Sequence, residues 1–187
     1  DQSIVKKAVE RTTNWTRRCA KWIDNNSEIY DHSQTLFPII QGSIDKNLRR
    51  QSAEELVPLS KCGIAIGGLA VGEEKTAMFE TIEFCDELLP RDQPRYLMGV
   101  GNPTDLVKAI LRGVDMFDCV LPARNARNGQ IFTHDGVINI MNSAYSNDTS
   151  PIDKHSSIEY AKTFSKSYLR HLFKVNEMFG LRIATLT

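Results

Sequence analysis

Apolar residues recur along the chain in short continuous runs, and each run alternates with a longer segment of helical periodicity. Continuous apolar runs are typical of parallel strands buried on both faces, where apolar and polar residues do not alternate. The predicted strands cover residues 35–42, 63–69, 95–101 and 114–121. The predicted helices cover residues 3–23, 44–59, 73–89 and 102–112. This alternation of helices and strands predicts the α/β class.

Two α/β architectures compete for this pattern, an open doubly wound sheet and a (β/α)8 barrel. No GxGxxG motif follows the first predicted strand, which disfavours a dinucleotide-binding sheet. A barrel needs eight strands and typically about 250 residues, so four strands predict about half of one.

The pattern changes after Pro122. Residues 130–140 predict a hairpin around an Asp135-Gly136 turn, and a polar loop follows over 146–157. A single final helix is expected over 158–179, ending at Gly180. We therefore expect residues 1–129 to form part of a barrel and residues 130–187 a small C-terminal subdomain.

Composition narrows the class of protein. The chain has 187 residues, with 23 basic and 23 acidic side chains, which excludes a globally basic nucleic-acid binder. No apolar run approaches the roughly 18 residues of a membrane span. The four cysteines form no CxxC pair, which favours reduced thiols and a cytoplasmic location. The chain opens at Asp1 directly in a helical pattern, so we expect it to be a piece of a longer protein.

Candidate chemistry gathers at the carboxyl ends of the predicted strands, where α/β proteins place reactive groups. Asp118 is the sharpest feature, because a carboxylate inside an apolar strand is costly unless it is paired or functional. The alternative is a structural Asp118 that caps a helix or forms a salt bridge. The other strand ends combine small residues with Gln41, which suits a base edge, and Met98, which suits a ring face. Core glycines and a core methionine are the alternative interpretation of that set.

Basic residues follow in two groups. Arg124 and Arg127 lie three apart and are suited to bidentate phosphate contacts. The alternative is a solvated loop whose arginines neutralise Asp118 or Asp115. Basic residues recur at four-residue spacing on one face of the predicted final helix. Such a stripe is typical either of a surface that binds a nucleic-acid backbone or of a face exposed to solvent. The stripe consists of Lys162, Lys166, Arg170 and Lys174. The histidines share no metal-ligand spacing with any cysteine.

Four motifs in order carry a specific resemblance. They are Phe37-Pro-Ile-Ile-Gln-Gly-Ser43, Gly67-Gly-Leu-Ala-Val-Gly-Glu73, Tyr96-Leu-Met-Gly-Val-Gly101 and Asp115-Met-Phe-Asp-Cys-Val-Leu-Pro122 with Arg124-Asn-Ala-Arg-Asn-Gly129. Together they closely resemble the tRNA-guanine transglycosylases, over nearly the whole chain. The resemblance implies a (β/α)8 barrel, of which this chain is about the second half, with a small zinc-binding subdomain.

The resemblance also implies an activity and roles for residues. The family exchanges guanine at the tRNA wobble position for a 7-deazaguanine, and Asp118 matches the nucleophile that holds the ribose covalently. The residues that match the base pocket are Gln41, Gly67, Gly68, Leu69, Tyr96, Met98 and Gly99. Arg124 and Arg127 match the anticodon-contacting loop. Val71 matches the bacterial form, which prefers the aminomethyl base preQ1. The implied partners are tRNA and a deazaguanine base, and the family commonly dimerises.

This chain departs from the family at the zinc site. The positions of its three cysteine ligands and one histidine ligand hold Ser156, Ile158, Ala161 and Thr187. These side chains do not make a tetrahedral zinc site, so we predict no metal cofactor.

Three functions compete. The first is a transglycosylase, of which this chain alone is expected to be inactive. The second is a non-catalytic tRNA-binding partner subunit of the same family. The third is a barrel enzyme that acts on a small phosphorylated substrate through the Arg124 loop. The presence of Asp118 together with Gln41 and the Gly67-Gly68 pair favours the first.

Overall fold

The computed structural model describes residues 2–26 and 32–187, which form two compact units, Asp1–Cys119 and Val120–Thr187. The expected division after residue 129 falls within the second of these units. No helix in the described ranges is both long and apolar enough to cross a membrane.

The first unit alternates helices and strands as the hydrophobic pattern predicts. Its helices are α1 (Gln2–Asn25), α2 (Lys46–Leu56), α3 (Lys75–Leu88) and α4 (Pro103–Ile110). Its strands are β1 (Ile39–Ile40), β2 (Ile64–Ile66), β3 (Arg95–Leu97) and β4 (Met116–Phe117). A 3-10 turn over Val57–Leu59 extends α2. The α/β prediction is confirmed.

The strands form one parallel sheet in the order β1-β2-β3-β4. Ile39 pairs with Ala65, Ala65 with Tyr96, and Tyr96 with Met116. Each strand lies beside its predecessor in the chain, and the order does not reverse as it does in a doubly wound sheet. This progression is that of a (β/α) barrel segment, and it places the carboxyl ends of all four strands along one edge.

The strands are shorter than the apolar runs that predict them, because the runs continue into the loops at the carboxyl edge. The predicted strand over 114–121 is paired only over Met116–Phe117, so Asp118 lies beyond the strand rather than inside it. Helix α3 begins at Lys75 with Glu74 as its N-cap residue, two positions after the start predicted at residue 73.

The core of the first unit lies between this sheet and its helices. Ile40, Ile64, Ile66 and Leu97 are at most 1 % exposed. They pack with Leu56 of α2 and with apolar side chains of α3, Met78, Phe79 and Ile82. Burial on both faces explains why these strands have no polar alternation.

The second unit is built from helices around one hairpin. Its helices are α5 (Leu121–Arg127), α6 (Glu159–Thr163), α7 (Lys166–Lys174) and α8 (Met178–Leu186). The hairpin joins β5 (Gln130–Thr133) to β6 (Gly136–Asn139), and Thr133 pairs with Gly136. The two turn residues are therefore His134 and Asp135, one position earlier than the predicted turn.

The prediction of a single final helix is wrong, because the helix is interrupted at two places, Ser165 and Asn176. The Ser165 hydroxyl accepts the amide N–H of Tyr168 at 3.1 Å and starts α7 anew. The same segment pairs with residues 150–152, where the Ile152 N–H donates to the Phe164 carbonyl at 3.1 Å. Asn176, with a φ of 56°, separates α7 from α8. The second core gathers Ile131, Ile140, Ile152, Ala161, Leu169, Leu172 and Ile183.

Candidate active site

Asp118 lies at the carboxyl end of β4, exposed and held by two hydrogen bonds. The Tyr96 hydroxyl donates to Asp118 Oδ1 at 2.7 Å, and the Gly99 N–H donates to the same oxygen at 3.1 Å. Both donors belong to β3 or to the loop after it. The sheet register explains this meeting, because Tyr96 pairs with Met116 on the neighbouring strand.

These hydrogen bonds favour the ionised carboxylate. The Tyr96 hydroxyl, and after it the Gly99 amide, lowers the pKa of Asp118 below its usual value. The same hydrogen bond raises the pKa of Tyr96, because it stabilises the protonated phenol that donates it. At neutral pH the pair is therefore a carboxylate beside a neutral phenol, which suits a nucleophile.

Gln41 follows β1 and lies across the glycines that follow β2. A Cβ at Gly67 would lie 2.8 Å from Gln41 Nε2, and one at Gly68 would lie 2.6 Å from Gln41 Oε1. Any larger residue would displace the Gln41 side chain. Gly68 also has a φ of 67°, which favours glycine. The structure thus brings the amide of Gln41 and bare main chain together, as the motifs predict.

The remaining predicted pocket residues lie on the same edge. Met98 is half-buried, and Gly99 is exposed with a φ of 78°. Leu69 is only 4 % exposed, and its side chain packs in the core of the first unit. Leu69 therefore has main-chain groups, rather than its side chain, to offer a ligand.

Glu73 is a residue that sequence reasoning placed in the first turn of a helix. Its carboxylate instead precedes the helix and accepts the main-chain N–H groups of Ala70 and Val71, the latter at 3.0 Å. Burial opposes its charge, but these main-chain hydrogen bonds outweigh that effect and lower the pKa of Glu73. Glu73 thereby shapes the loop after Gly68, where Ala70 has a φ of 59°.

Arg49 and Ser52 are two further residues that sequence reasoning missed. Both are fully buried on the inner face of α2 and bond the main chain at the ends of β1 and β2. Their signal in the sequence is a polar pair three residues apart on the apolar face of an amphipathic helix.

Arg124 and Arg127 lie on α5 in the second unit. The predicted loop is a short helix that begins at Leu121, with Pro122 in its first turn. Both arginines are exposed, and their spacing of three places them on one helical face. Within the described part of the chain, neither forms a salt bridge.

The basic stripe is not continuous, because Lys162 lies on α6 whereas Lys166 and Arg170 lie on α7. Lys162 pairs with Glu159 at 3.2 Å. Lys166 lies 3.7 Å from Asp148 and donates to the Ser150 hydroxyl at 3.1 Å. The Arg170 Nε donates to the Asn142 carbonyl at 3.1 Å. All three side chains are thus engaged within their own unit.

The four positions that match the family's zinc ligands do not fit the metal. The Ser156 hydroxyl accepts the Ile158 N–H at 3.0 Å, and the Thr187 hydroxyl donates to the Ile183 carbonyl at 2.9 Å. Ala161 is fully buried in the second core. Among the residues that the structure describes, no cluster of histidine, cysteine and acidic side chains suits a metal ion.

A buried carboxylate lies close to those positions along the chain. Asp153 is 3 % exposed and accepts the His134 N–H at 2.9 Å, the His134 ring Nδ1 at 2.8 Å and the His155 N–H at 2.9 Å. Burial alone would raise its pKa, but these contacts lower the pKa of Asp153 to about 2. The carboxylate joins the hairpin turn to the loop before α6.

Comparison with known proteins matches the whole chain to one family. The profile of the family described as queuine tRNA-ribosyltransferase matches residues 1–187. The queuine tRNA-ribosyltransferase of Bacillus velezensis is 49% identical over 185 residues, covering 99% of this chain and 47% of the relative. That of Caldanaerobacter subterraneus is 48% identical over 99% of this chain and 48% of the relative. That of Staphylococcus haemolyticus is 48% identical over 100% of this chain and 48% of the relative.

The chain thus spans about half the length of the relatives that it matches. The four motifs and the strand order agree with the family match over the full chain. The chain belongs to the queuine tRNA-ribosyltransferase family.

Proposed function

We propose that the complete protein containing this chain is a tRNA-guanine transglycosylase with Asp118 as its nucleophile. The observation that carries this proposal is the ionised Asp118 carboxylate held by Tyr96 and Gly99, on the sheet edge that also holds Gln41 and Gly67-Gly68. A carboxylate nucleophile and a flat pocket with bare main chain are the two parts that base exchange requires.

The exchange divides into two displacements at the ribose C1′. An Asp118 oxygen attacks C1′ as the bond from C1′ to N9 of guanine breaks, and the departing guanine takes up a proton at N9. The incoming base then loses its N9 proton and attacks C1′ as the bond to Asp118 breaks. Tyr96 and Gly99 both donate to Oδ1, so we assign the attack to Oδ2.

The base pocket is assigned from the same edge. Gln41 reads the base edge with its amide, Gly67, Gly68 and Leu69 offer main-chain groups, and Met98 covers the ring. The incoming base is 7-aminomethyl-7-deazaguanine (preQ1), on the basis of the bacterial-type sequence at Leu69–Gly72. The implied pathway is queuosine biosynthesis in the cytoplasm.

Arg124 and Arg127 are the strongest candidates for tRNA contact, because both are exposed and share one helical face. Lys162, Lys166 and Arg170 remain secondary candidates, since each already has a partner within its own unit. A homodimer completes the proposal for the full protein. The isolated 187-residue chain is expected to be inactive, because four strands form only part of a barrel.

The test uses the complete protein with tRNA and a base analogue, followed by a denaturing gel. A covalent protein–RNA adduct and exchange of labelled guanine are expected, and both should disappear in Asp118→Asn. Asp115→Asn is the neighbouring control, although it is expected to weaken the fold because Asp115 Oδ2 accepts the Arg95 N–H at 2.8 Å. Binding of tRNA with neither adduct nor exchange would instead support the non-catalytic partner subunit.

A further inference from the structure

We infer that Arg49 and Ser52 are positioning residues for the base pocket, an inference that rests on the proposed function. The two residues lie three apart on the inner face of α2, and both are 0 % exposed. Both belong to α2 rather than to the strands that carry the pocket. Both bond to the main chain at the ends of those strands.

The Arg49 guanidinium divides its donors among three main-chain carbonyls. Nη1 donates to Ile40 O at 3.0 Å, and Nη2 donates to Gly67 O at 2.7 Å. Nε donates to Ser43 O at 2.8 Å. Ile40 is the last residue of β1, and Gly67 directly follows β2. A single rigid group therefore joins the ends of the two strands that carry Gln41 and the Gly67-Gly68 pair.

Ser52 fixes the remaining link. Its hydroxyl accepts the main-chain N–H of Gln41 at 3.0 Å, which holds the residue whose amide faces the glycines. The Gly67 N–H donates to Ile40 O at 3.1 Å, so the same carbonyl accepts from both Gly67 and Arg49. The position of the Gln41 amide relative to the Gly67-Gly68 main chain is thus set by α2.

The loop after Gln41 needs this support. Ser43 has a φ of 50°, a conformation that non-glycine residues rarely adopt, and its carbonyl is the acceptor for Arg49 Nε. Gly42 lies against the α2 main chain, since a Cβ at Gly42 would be 2.7 Å from the main-chain nitrogen of Arg49. The turn between β1 and α2 therefore packs against the main chain of Arg49, and the Arg49 side chain also donates a hydrogen bond to it.

The chemistry of arginine explains the choice of side chain. A planar guanidinium presents five N–H donors in a fixed arrangement, whereas a lysine ammonium is a compact charge that cannot span three carbonyls with the same geometry. Burial lowers the pKa of Arg49, but an arginine remains charged in proteins. Its charge strengthens each hydrogen bond to a carbonyl dipole.

The test measures steady-state exchange by the complete protein, with guanine and tRNA varied separately. In Arg49→Lys we expect the KM for guanine to rise about tenfold or more while the KM for tRNA changes less than about twofold. Ser52→Ala should raise the guanine KM in the same direction. Arg50→Lys is the matched control, because Arg50 is exposed on the next position of the same helix and lies over the Phe84 ring.

Two further measurements separate the possible outcomes. Thermal unfolding of each variant tests a merely structural role, for which melting would fall while the guanine KM of the folded protein stayed unchanged. That result would overturn the inference. If Arg49→Lys does not fold, Ser52→Ala decides alone, and an unchanged guanine KM in that variant overturns it.

Direct binding of guanine to the tRNA-free protein, measured by calorimetry, distinguishes this inference from the proposed function. Guanine binding by the wild type without exchange would contradict the transglycosylase, and weaker binding in Ser52→Ala would still support the positioning role. A wild type that neither binds nor exchanges guanine would contradict both.

Discussion

The Tyr96 hydroxyl donates a hydrogen bond of 2.7 Å to Asp118 Oδ1 across two neighbouring parallel strands. The two residues are 22 positions apart in the chain, and the strand register brings them together. This contact favours the ionised form of the proposed nucleophile.

Tyr96→Phe removes that donor and should raise the pKa of Asp118, because the Tyr96 hydroxyl is the main cause that lowers it. If the reaction needs the ionised carboxylate, the acid limb of the rate profile then moves to higher pH. At neutral pH the carboxylate stays ionised, so we expect kcat to fall by at most about tenfold there, because Asp118 loses the hydrogen bond that positions it. Exchange rates measured from pH 3 to 8 test this, with Tyr168→Phe as a control on an exposed tyrosine of the other unit. An unshifted acid limb would contradict the assignment.

Gly42→Ala should destabilise the protein by about 2–4 kcal/mol, since the new Cβ would lie 2.7 Å from the main-chain nitrogen of Arg49. The matched control is Gly72→Ala, where φ is also positive at 123° but a Cβ meets nothing within 4 Å. That control should cost only the strain of the backbone, about 1 kcal/mol. Urea unfolding of both variants gives the comparison, and equal losses would rule out tight packing at Gly42.

Because of Asp153, the free energy of unfolding of the second unit should depend on pH in the acidic range. Its pKa in the folded state is about 2, below that of an unfolded aspartate, so its contribution is complete above about pH 4 and is lost as the pH falls toward 2. We expect a loss of at most about 2 kcal/mol over that range. Hydrogen exchange of peptides from residues 130–187 measures it. Asp153→Asn should remove this pH dependence, whereas Asp135→Asn, an exposed neighbour in the hairpin turn, should retain it.

The second unit should remain folded without zinc. The positions that match the family's zinc ligands hold side chains that do not form a metal site, and an apolar core stabilises the unit instead. A strong chelator is expected to leave the melting temperature unchanged, and metal analysis should find no stoichiometric zinc. Leu169→Ala, at a fully buried position, should instead cost about 2–5 kcal/mol. Val137→Ala is the control, since Val137 is 55% exposed on the hairpin. Unfolding on chelation would contradict the zinc-free assignment.

Arg124→Ala and Arg127→Ala should each weaken tRNA binding evenly across tRNA sequences. Loss of one phosphate contact also lowers the slope of log affinity against log salt concentration by about one. Filter binding at several salt concentrations measures both effects. Lys166→Ala serves as the comparison, because Lys166 contacts Asp148 and Ser150 and should affect stability more than affinity. A salt slope that is unchanged in both arginine variants would exclude α5 as a tRNA contact.

The sequence by itself determined the α/β class, the order of the elements in the first unit and most of the residues proposed for the candidate site. Continuous apolar runs reveal parallel strands because burial on both faces leaves no polar alternation. The motifs then indicated Asp118, Gln41 and the Gly67-Gly68 pair as candidate site residues. These residues come together because residues directly after parallel strands share one edge of the sheet.

Only the tertiary structure decided which groups meet and where elements end. Periodicity predicted one long final helix, because local pattern does not register that Ser165 caps a new helix while its neighbours pair with residues 150–152. The sequence equally does not show which groups Arg49 and Glu73 bind. Their partners are main-chain carbonyls and amides, which every residue possesses, so only the folded path of the chain determines which of them each side chain reaches.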